Sequence, residues 1–174
     1  TAAAALQAAG GMDYLVGLAA RILRKHPGQI TILGPLVTYF FTLFAGTAHI
    51  SYSILPIIAE VATKARVRPE RALSMSVTAA HMGITASPVS AASAALLTVL
   101  VADGIKLADI LLVCIPSTLI GVIVGILFVL KRGKELDQDP EFLERMKNPE
   151  FAKGISDDSG GSEIALKPGA IKSV

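Results

Sequence analysis

Charged side chains are missing from three long stretches of this sequence: no Lys, Arg, Asp or Glu occurs from Pro27 to Ala59, from Ala72 to Ala102 or from Ile110 to Leu130. Each stretch exceeds the ~20 residues needed to cross a bilayer core. With 52% apolar residues, 17% charged and a mean hydropathy of +0.60, the chain is too apolar for an ordinary soluble domain. Cysteine occurs once, at Cys114, which excludes a disulfide framework or a cysteine-based metal site. That residue is expected to be a small side chain facing lipid or a neighbouring helix. The apolar stretches hold no Asp pair, no Ser-His-Asp set and no cluster of metal ligands, which argues against an intramembrane enzyme, a bound metal or a cofactor. Basic residues sit in short clusters beside the apolar stretches, without interleaved aromatics, so nucleic-acid binding is not indicated. The opening 1–11 is Ala-rich, begins with Thr1 and lacks the basic-then-apolar plan of a cleavable signal. It reads as the truncated start of a longer chain.

What is present is a series of helical segments. Apolar residues recur at helical spacing over residues 12–25 (Leu15, Leu18, Ala19, Ile22, Leu23), and Arg21, Arg24 and Lys25 close that helix at a membrane surface. The uncharged stretch from Pro27 to Ala59 would measure about 50 Å as one helix against a hydrocarbon core of about 30 Å, yet it is too short for two full spans. A re-entrant hairpin over residues 30–62 fits, with its tip at Gly46-Thr47-Ala48-His49. Residues 72–101 pose the same length problem and carry a break at Thr85-Ala86-Ser87-Pro88. Ser87 is placed to be the N-cap and Pro88 the first residue of a second half-helix. Residues 109–130 read as a single span, with Gly121 and Gly125 at GxxxG spacing for close packing.

Short cytoplasmic loops collect Lys and Arg, and the clusters over residues 21–29 and 63–71 put both ends of the hairpin in the cytoplasm. The broken helix then runs outward and the last span returns. Residues 131–174 form a cytoplasmic charged segment, followed from Gly154 by a composition that predicts a flexible linker.

Irregular backbone at membrane depth persists where protein or a wet cavity satisfies its polar groups, and midplane transport sites use such breaks. The candidate binding residues are therefore Gly46, Thr47 and His49 at the tip and Thr85, Ser87 and Ser90 at the break. Hydroxyls and amides at half-helix N-termini suit a carboxylate without burying an Arg. His49 and His81 are the titratable side chains within the apolar stretches, and an intramembrane ionisable group is a functional candidate by default. Ser53 and Ser93 are assigned to capping or packing, Pro35, Pro56 and Pro116 to helix shape, and Glu60 to an ion pair with Lys64.

Ala9-Gly10-Gly11-Met12-Asp13-Tyr14, Pro35-Leu36-Val37-Thr38-Tyr39-Phe40-Phe41-Thr42, Ala45-Gly46-Thr47-Ala48-His49, Arg68-Pro69-Glu70-Arg71 and Ile84-Thr85-Ala86-Ser87-Pro88-Val89-Ser90 resemble the anaerobic C4-dicarboxylate (Dcu) transporters of bacterial inner membranes. The resemblance implies exchange or uptake of fumarate, succinate, malate and aspartate. It also implies a fold of two inverted repeats, of which this chain is most of the first. Ala48 stands where the family usually has Gly, and His81 where Gln is common. The expectation is an all-α polytopic membrane protein with a re-entrant helical hairpin, a discontinuous transmembrane helix and a single span. Its partners are the dicarboxylate, the lipid bilayer, a second repeat of the full-length chain and further copies in a homo-oligomer. The alternatives are a cation-coupled carrier of another organic anion and a non-transporting membrane sensor or interaction subunit.

Overall fold

The computed structural model describes residues 11–130, 132 and 136–149. The helices are α1 (Gly11–Lys25), α2 (Ile30–Ala45), α3 (His49–Lys64), α4 (Pro69–Ala86), α5 (Ala91–Leu100), α6 (Leu107–Leu130) and α7 (Pro140–Arg145). Short 3-10 turns lie at Pro27–Gln29, Val101–Asp103 and Leu136–Gln138, and no strand occurs among the described residues. Three stretches are long and apolar enough to cross a membrane: Pro27–Ala45, Leu107–Leu130 and, taken across its break, Pro69–Asp103. The all-helical membrane class holds. Of the charged tail, residues 136–149 contain the last 3-10 turn and α7, and the linker expected from Gly154 lies outside the described residues.

The centre of the packing is α2 against α4. A Cβ on Gly83 would lie 2.7 Å from the Tyr39 carbonyl oxygen, and one on Gly34 would lie 3.2 Å from Ser76 Oγ. Small residues thus let two membrane helices approach backbone to backbone. One apolar cluster joins α1, α2, α3 and the start of α4 around Leu23, Ile30, Ile54 and Ile58. A second joins α2, α4 and α6 around Leu43, Met75, Val122 and Ile126. A polar tie crosses the second cluster: the buried Tyr39 hydroxyl lies 2.8 Å from Thr118 Oγ1 and 3.3 Å from the Ile115 carbonyl, to which it donates. Of the two α6 glycines, Gly125 packs on Met75, whereas Gly121 has nothing within 4 Å of where its Cβ would be. The expected close packing therefore applies to one glycine of the pair.

The basic clusters gather the helix ends. Glu60, in the last turns of α3, pairs with Lys64 at 2.8 Å as expected, and also with Arg24 of α1 at 3.2 Å. The end of α1 is thereby tied to the end of α3. The chain turns into α4 through Arg66, whose φ of 56° closes the end of α3 with bonds from Arg66 N–H to Thr63 O and Val67 N–H to Ala62 O. Arg71, in the first turn of α4, is buried and donates to the carbonyls of Arg132 and Leu130 past the end of α6. The start of α4, the end of α6 and the open end of the hairpin therefore share one side of the molecule.

Candidate functional site

The hairpin turns at Gly46, which takes the left-handed conformation (φ 68°, ψ 13°) and donates its N–H to the Thr42 carbonyl at 2.8 Å. Glycine enters this region without the Cβ penalty. Thr47 is half-buried, and its Oγ1 accepts from the His49 N–H at 3.3 Å across the turn, one residue before the α3 N-cap Ala48. Ser51 Oγ donates to the Ala48 carbonyl at 2.6 Å. His49 is exposed, its ring 6.2 Å from that of Tyr52.

The second irregular segment is a knot of serines. Ala86 ends α4, and Ser87 turns extended (φ −78°, ψ 129°). Ser87 Oγ accepts from the Val89 N–H at 3.3 Å. Ser90 then caps α5, its Oγ accepting from the Ser93 N–H at 3.1 Å. Ser93 Oγ donates to the Ser87 carbonyl at 2.6 Å, and Ser90 Oγ bonds Ser93 Oγ at 3.1 Å. All three serines are buried. The half-helix therefore begins three residues later than expected: Ser90 is the N-cap, not Ser87, and Pro88 lies in the turn. Thr85 also departs from expectation, because α4 is still helical there. Its exposed hydroxyl donates to the His81 carbonyl at 3.1 Å, outside the serine knot. Ser93 has the structural role assigned to it, whereas Ser53 is exposed on α3 instead of packed.

The two irregular segments touch. A Cβ on Gly46 would stand 2.7 Å from Val89 Cγ2 and 3.1 Å from both the carbonyl carbon and the oxygen of Val89. The tip of the hairpin is therefore seated on the break, and Gly46, Ser87 and Ser90 belong to one locality. Two helix starts, of α3 and α5, lie at this contact, and a helix start presents amide N–H groups outside its own ladder. No Lys or Arg occurs in residues 26–63 or 72–105. Anion binding here would rest on amides, hydroxyls and helix dipoles. Sequence reasoning did not single out Tyr39 and Arg71 as buried polar ties. Their partners lie about 60 to 80 residues away, beyond any local pattern.

The family model described as anaerobic C4-dicarboxylate membrane transporter matches residues 1–174. The chain belongs to that family. Similar proteins include the C4-dicarboxylate transporter DcuA of Wolinella succinogenes, 44% identical over 173 residues, and DcuA of Escherichia coli strain K12, 44% identical over 174 residues. Each comparison covers 99% of this chain and 39% of the relative. The anaerobic C4-dicarboxylate transporter DcuB of Escherichia coli O6:H1 is 42% identical over 163 residues, which is 91% of this chain and 36% of the relative. The chain thus spans about two fifths of the length of these C4-dicarboxylate transporters. No solved structure matches it.

Proposed function

We propose that this chain is part of a secondary transporter of C4-dicarboxylates in a bacterial inner membrane, and that the hairpin tip and the serine break form half of the dicarboxylate site. The observation that carries the reading is the seating of Gly46 on Val89. It brings two helix N-termini and several hydroxyls together within apolar helices, the arrangement a dianion needs at membrane depth. The substrates of this reading are fumarate, succinate, malate and aspartate, moved by exchange or uptake through alternating access with no covalent step. The other half of the site would come from a second, inverted repeat in the part of the relatives' length that lies beyond this chain.

The same contact supports a re-entrant hairpin. Its arms of 16 residues each, about 24 Å, reach the broken helix where α4, about 27 Å long with 18 residues, gives way to α5. By comparison α6, with 24 residues, measures about 36 Å. The arms are thus about 12 Å shorter than α6, as a hairpin that turns back within the bilayer would be. Single cysteines at Lys25 and Lys64 are expected to react with an impermeant thiol reagent from the same, cytoplasmic side. Labelling from opposite sides would end the re-entrant topology.

The site is tested in the full-length gene product by Thr47→Val and Ser87→Ala, with Ser53→Ala as the comparison. Losing a hydrogen bond to a charged ligand costs about 1.5–3 kcal/mol, so each site variant should bind and exchange labelled succinate roughly ten- to a hundredfold less well. The amount of folded protein in the membrane should change little. Parent-like exchange by both site variants, with a defect in Ser53→Ala, would remove the tip and break as the carboxylate site.

A further inference from the structure

One face of α4 is unlike the rest of the exposed surface. The helix packs against α2, α3 and α6 through Met75, Ser76, Ala79 and Gly83, and among the described residues no helix covers the opposite side. Along that open side stand Ser74, Thr78, His81 and Thr85, all exposed. At 100° per residue these four fall within about 60° of one another, and they climb about 16 Å of helix axis. Val77 and Met82, also exposed, flank them on either side. The stripe begins three residues beyond Arg71, at the side where the basic helix ends gather, and it stops at the break on which Gly46 sits.

The exposed face of α6 sets the contrast. There Leu112, Val113, Ile120, Leu127 and Phe128 are between 61% and 79% exposed, the composition of a surface that meets lipid tails. The hydroxyls of α4 satisfy part of their demand on their own helix: Ser74 donates to Arg71 O, Thr78 to Ser74 O and Thr85 to His81 O. Serine and threonine bonded in this way are tolerated against lipid. His81 is not so easily placed. Its Nδ1 lies 2.8 Å from the Val77 carbonyl, which can only accept, so the Nδ1–H donates and Nε2 stands outside that bond on an exposed side chain. An ionisable ring with a nitrogen facing hydrocarbon is costly, and such groups line wet cavities or meet protein. Glu70, in the first turn and paired with Arg68, is the acidic residue of α4, and no Asp or Glu follows it before Asp103, so nothing acidic within the stripe itself repels an anion.

We infer that the Ser74–Thr78–His81–Thr85 stripe lines a water-filled half-channel through which the dicarboxylate passes between the basic-flanked membrane face and the tip–break site. The inference rests on the proposed transport function and extends it from the site to its route. Hydroxyls spaced one turn apart, with a histidine between them, offer a hydrated dianion successive weak contacts that hold it without trapping it. A route needs that property more than it needs affinity.

Single cysteines at Ser74, Thr78 and His81, in a full-length parent from which Cys114 and every other cysteine have been removed, test this in proteoliposomes that exchange labelled succinate. Positions 112 and 128, likewise converted to cysteine, report the lipid-facing rate. A charged, impermeant thiosulfonate should modify the three stripe positions at least about tenfold faster than the two α6 positions, because it reacts with a hydrated thiolate and not with a thiol in hydrocarbon. Saturating succinate should slow modification of the stripe. Stripe cysteines as unreactive as those on α6, in protein that still exchanges succinate, overturn the inference alone. Rapid labelling indifferent to succinate overturns the route as well. A parent that exchanges no C4-dicarboxylate overturns the proposed function and the route together. If His81→Cys fails to accumulate, Ser74→Cys and Thr78→Cys decide the matter.

Discussion

Gly46→Ala should cut dicarboxylate exchange by on the order of a hundredfold or more while the protein still reaches the membrane. Two costs meet at this residue. Its φ of 68° is left-handed, which costs an L-residue about 1–2 kcal/mol. The new methyl would also stand 2.7 Å from Val89 Cγ2 and 3.1 Å from the Val89 carbonyl, and overpacking of this kind costs about 1–3 kcal/mol. A side-chain methyl can rotate away, but a backbone carbonyl at the break cannot move without moving Ser87 or Ser90, so the tip is pushed off the break. Gly104→Ala separates the two costs. Gly104 has a similar φ of 76°, yet nothing lies within 4 Å of its would-be Cβ. It should therefore lose about 1–2 kcal/mol of stability and keep its transport. Val89→Ala in the Gly46→Ala background removes Cγ2 and leaves the carbonyl, so it should restore exchange only in part. If Gly46→Ala exchanged succinate as well as Gly104→Ala, contact between tip and break would have no part in transport.

The break shows how far the sequence could be read. An uncharged stretch too long for one span, with Ser87-Pro88 near its middle, announced an interruption, and α4 does end at Ala86. The second helix start is ambiguous in the sequence because two serines offer the same local signal. Ser87 precedes Pro88, the commoner N-terminal pattern. Ser90 precedes Ser93, whose amide it caps and whose hydroxyl reaches back to the Ser87 carbonyl. The second arrangement ties the turn to itself with four side-chain bonds and leaves Val89 outward, where Gly46 meets it. That choice depends on a neighbour more than 40 residues away, and no window along the chain contains it. At Thr85 proximity to Pro88 predicts unwinding, but the helix holds and points the hydroxyl outward. The hairpin was more legible, since length, flanking charge and Gly46 act locally, and α2 and α3 end within a few residues of the expected bounds.

Arg71 was read from the sequence as one of a basic cluster in a cytoplasmic loop, whereas it is 7% exposed and bonded to the end of a helix 60 residues on. Arg71→Ala should therefore destabilise the protein far more than Arg68→Ala, its neighbour in the same cluster. The last carbonyls of a helix lack intrahelical partners, and a cation there also opposes the negative end of the dipole. Arg71 meets both needs, with Nε on the Arg132 carbonyl and Nη1 3.3 Å from that of Leu130. Each hydrogen bond to a charged group is worth about 1.5–3 kcal/mol, so removing both should cost about 3 kcal/mol or more, a large share of a typical stability of about 5–15 kcal/mol. Arg68 pairs instead with Glu70 at 2.8 Å and Asp139 at 3.7 Å while partly solvated, and such pairs contribute about 0–1 kcal/mol. Arg71→Lys should fall between the two, since a single ammonium cannot span both carbonyls as the guanidinium fork does. Thermal unfolding in detergent, followed by protease resistance, ranks the three variants. Equal midpoints for Arg71→Ala and Arg68→Ala would mean that α6 is held against α4 by apolar packing alone. If the order is as expected, α6 serves as the fixed post to which the start of the broken helix is tied.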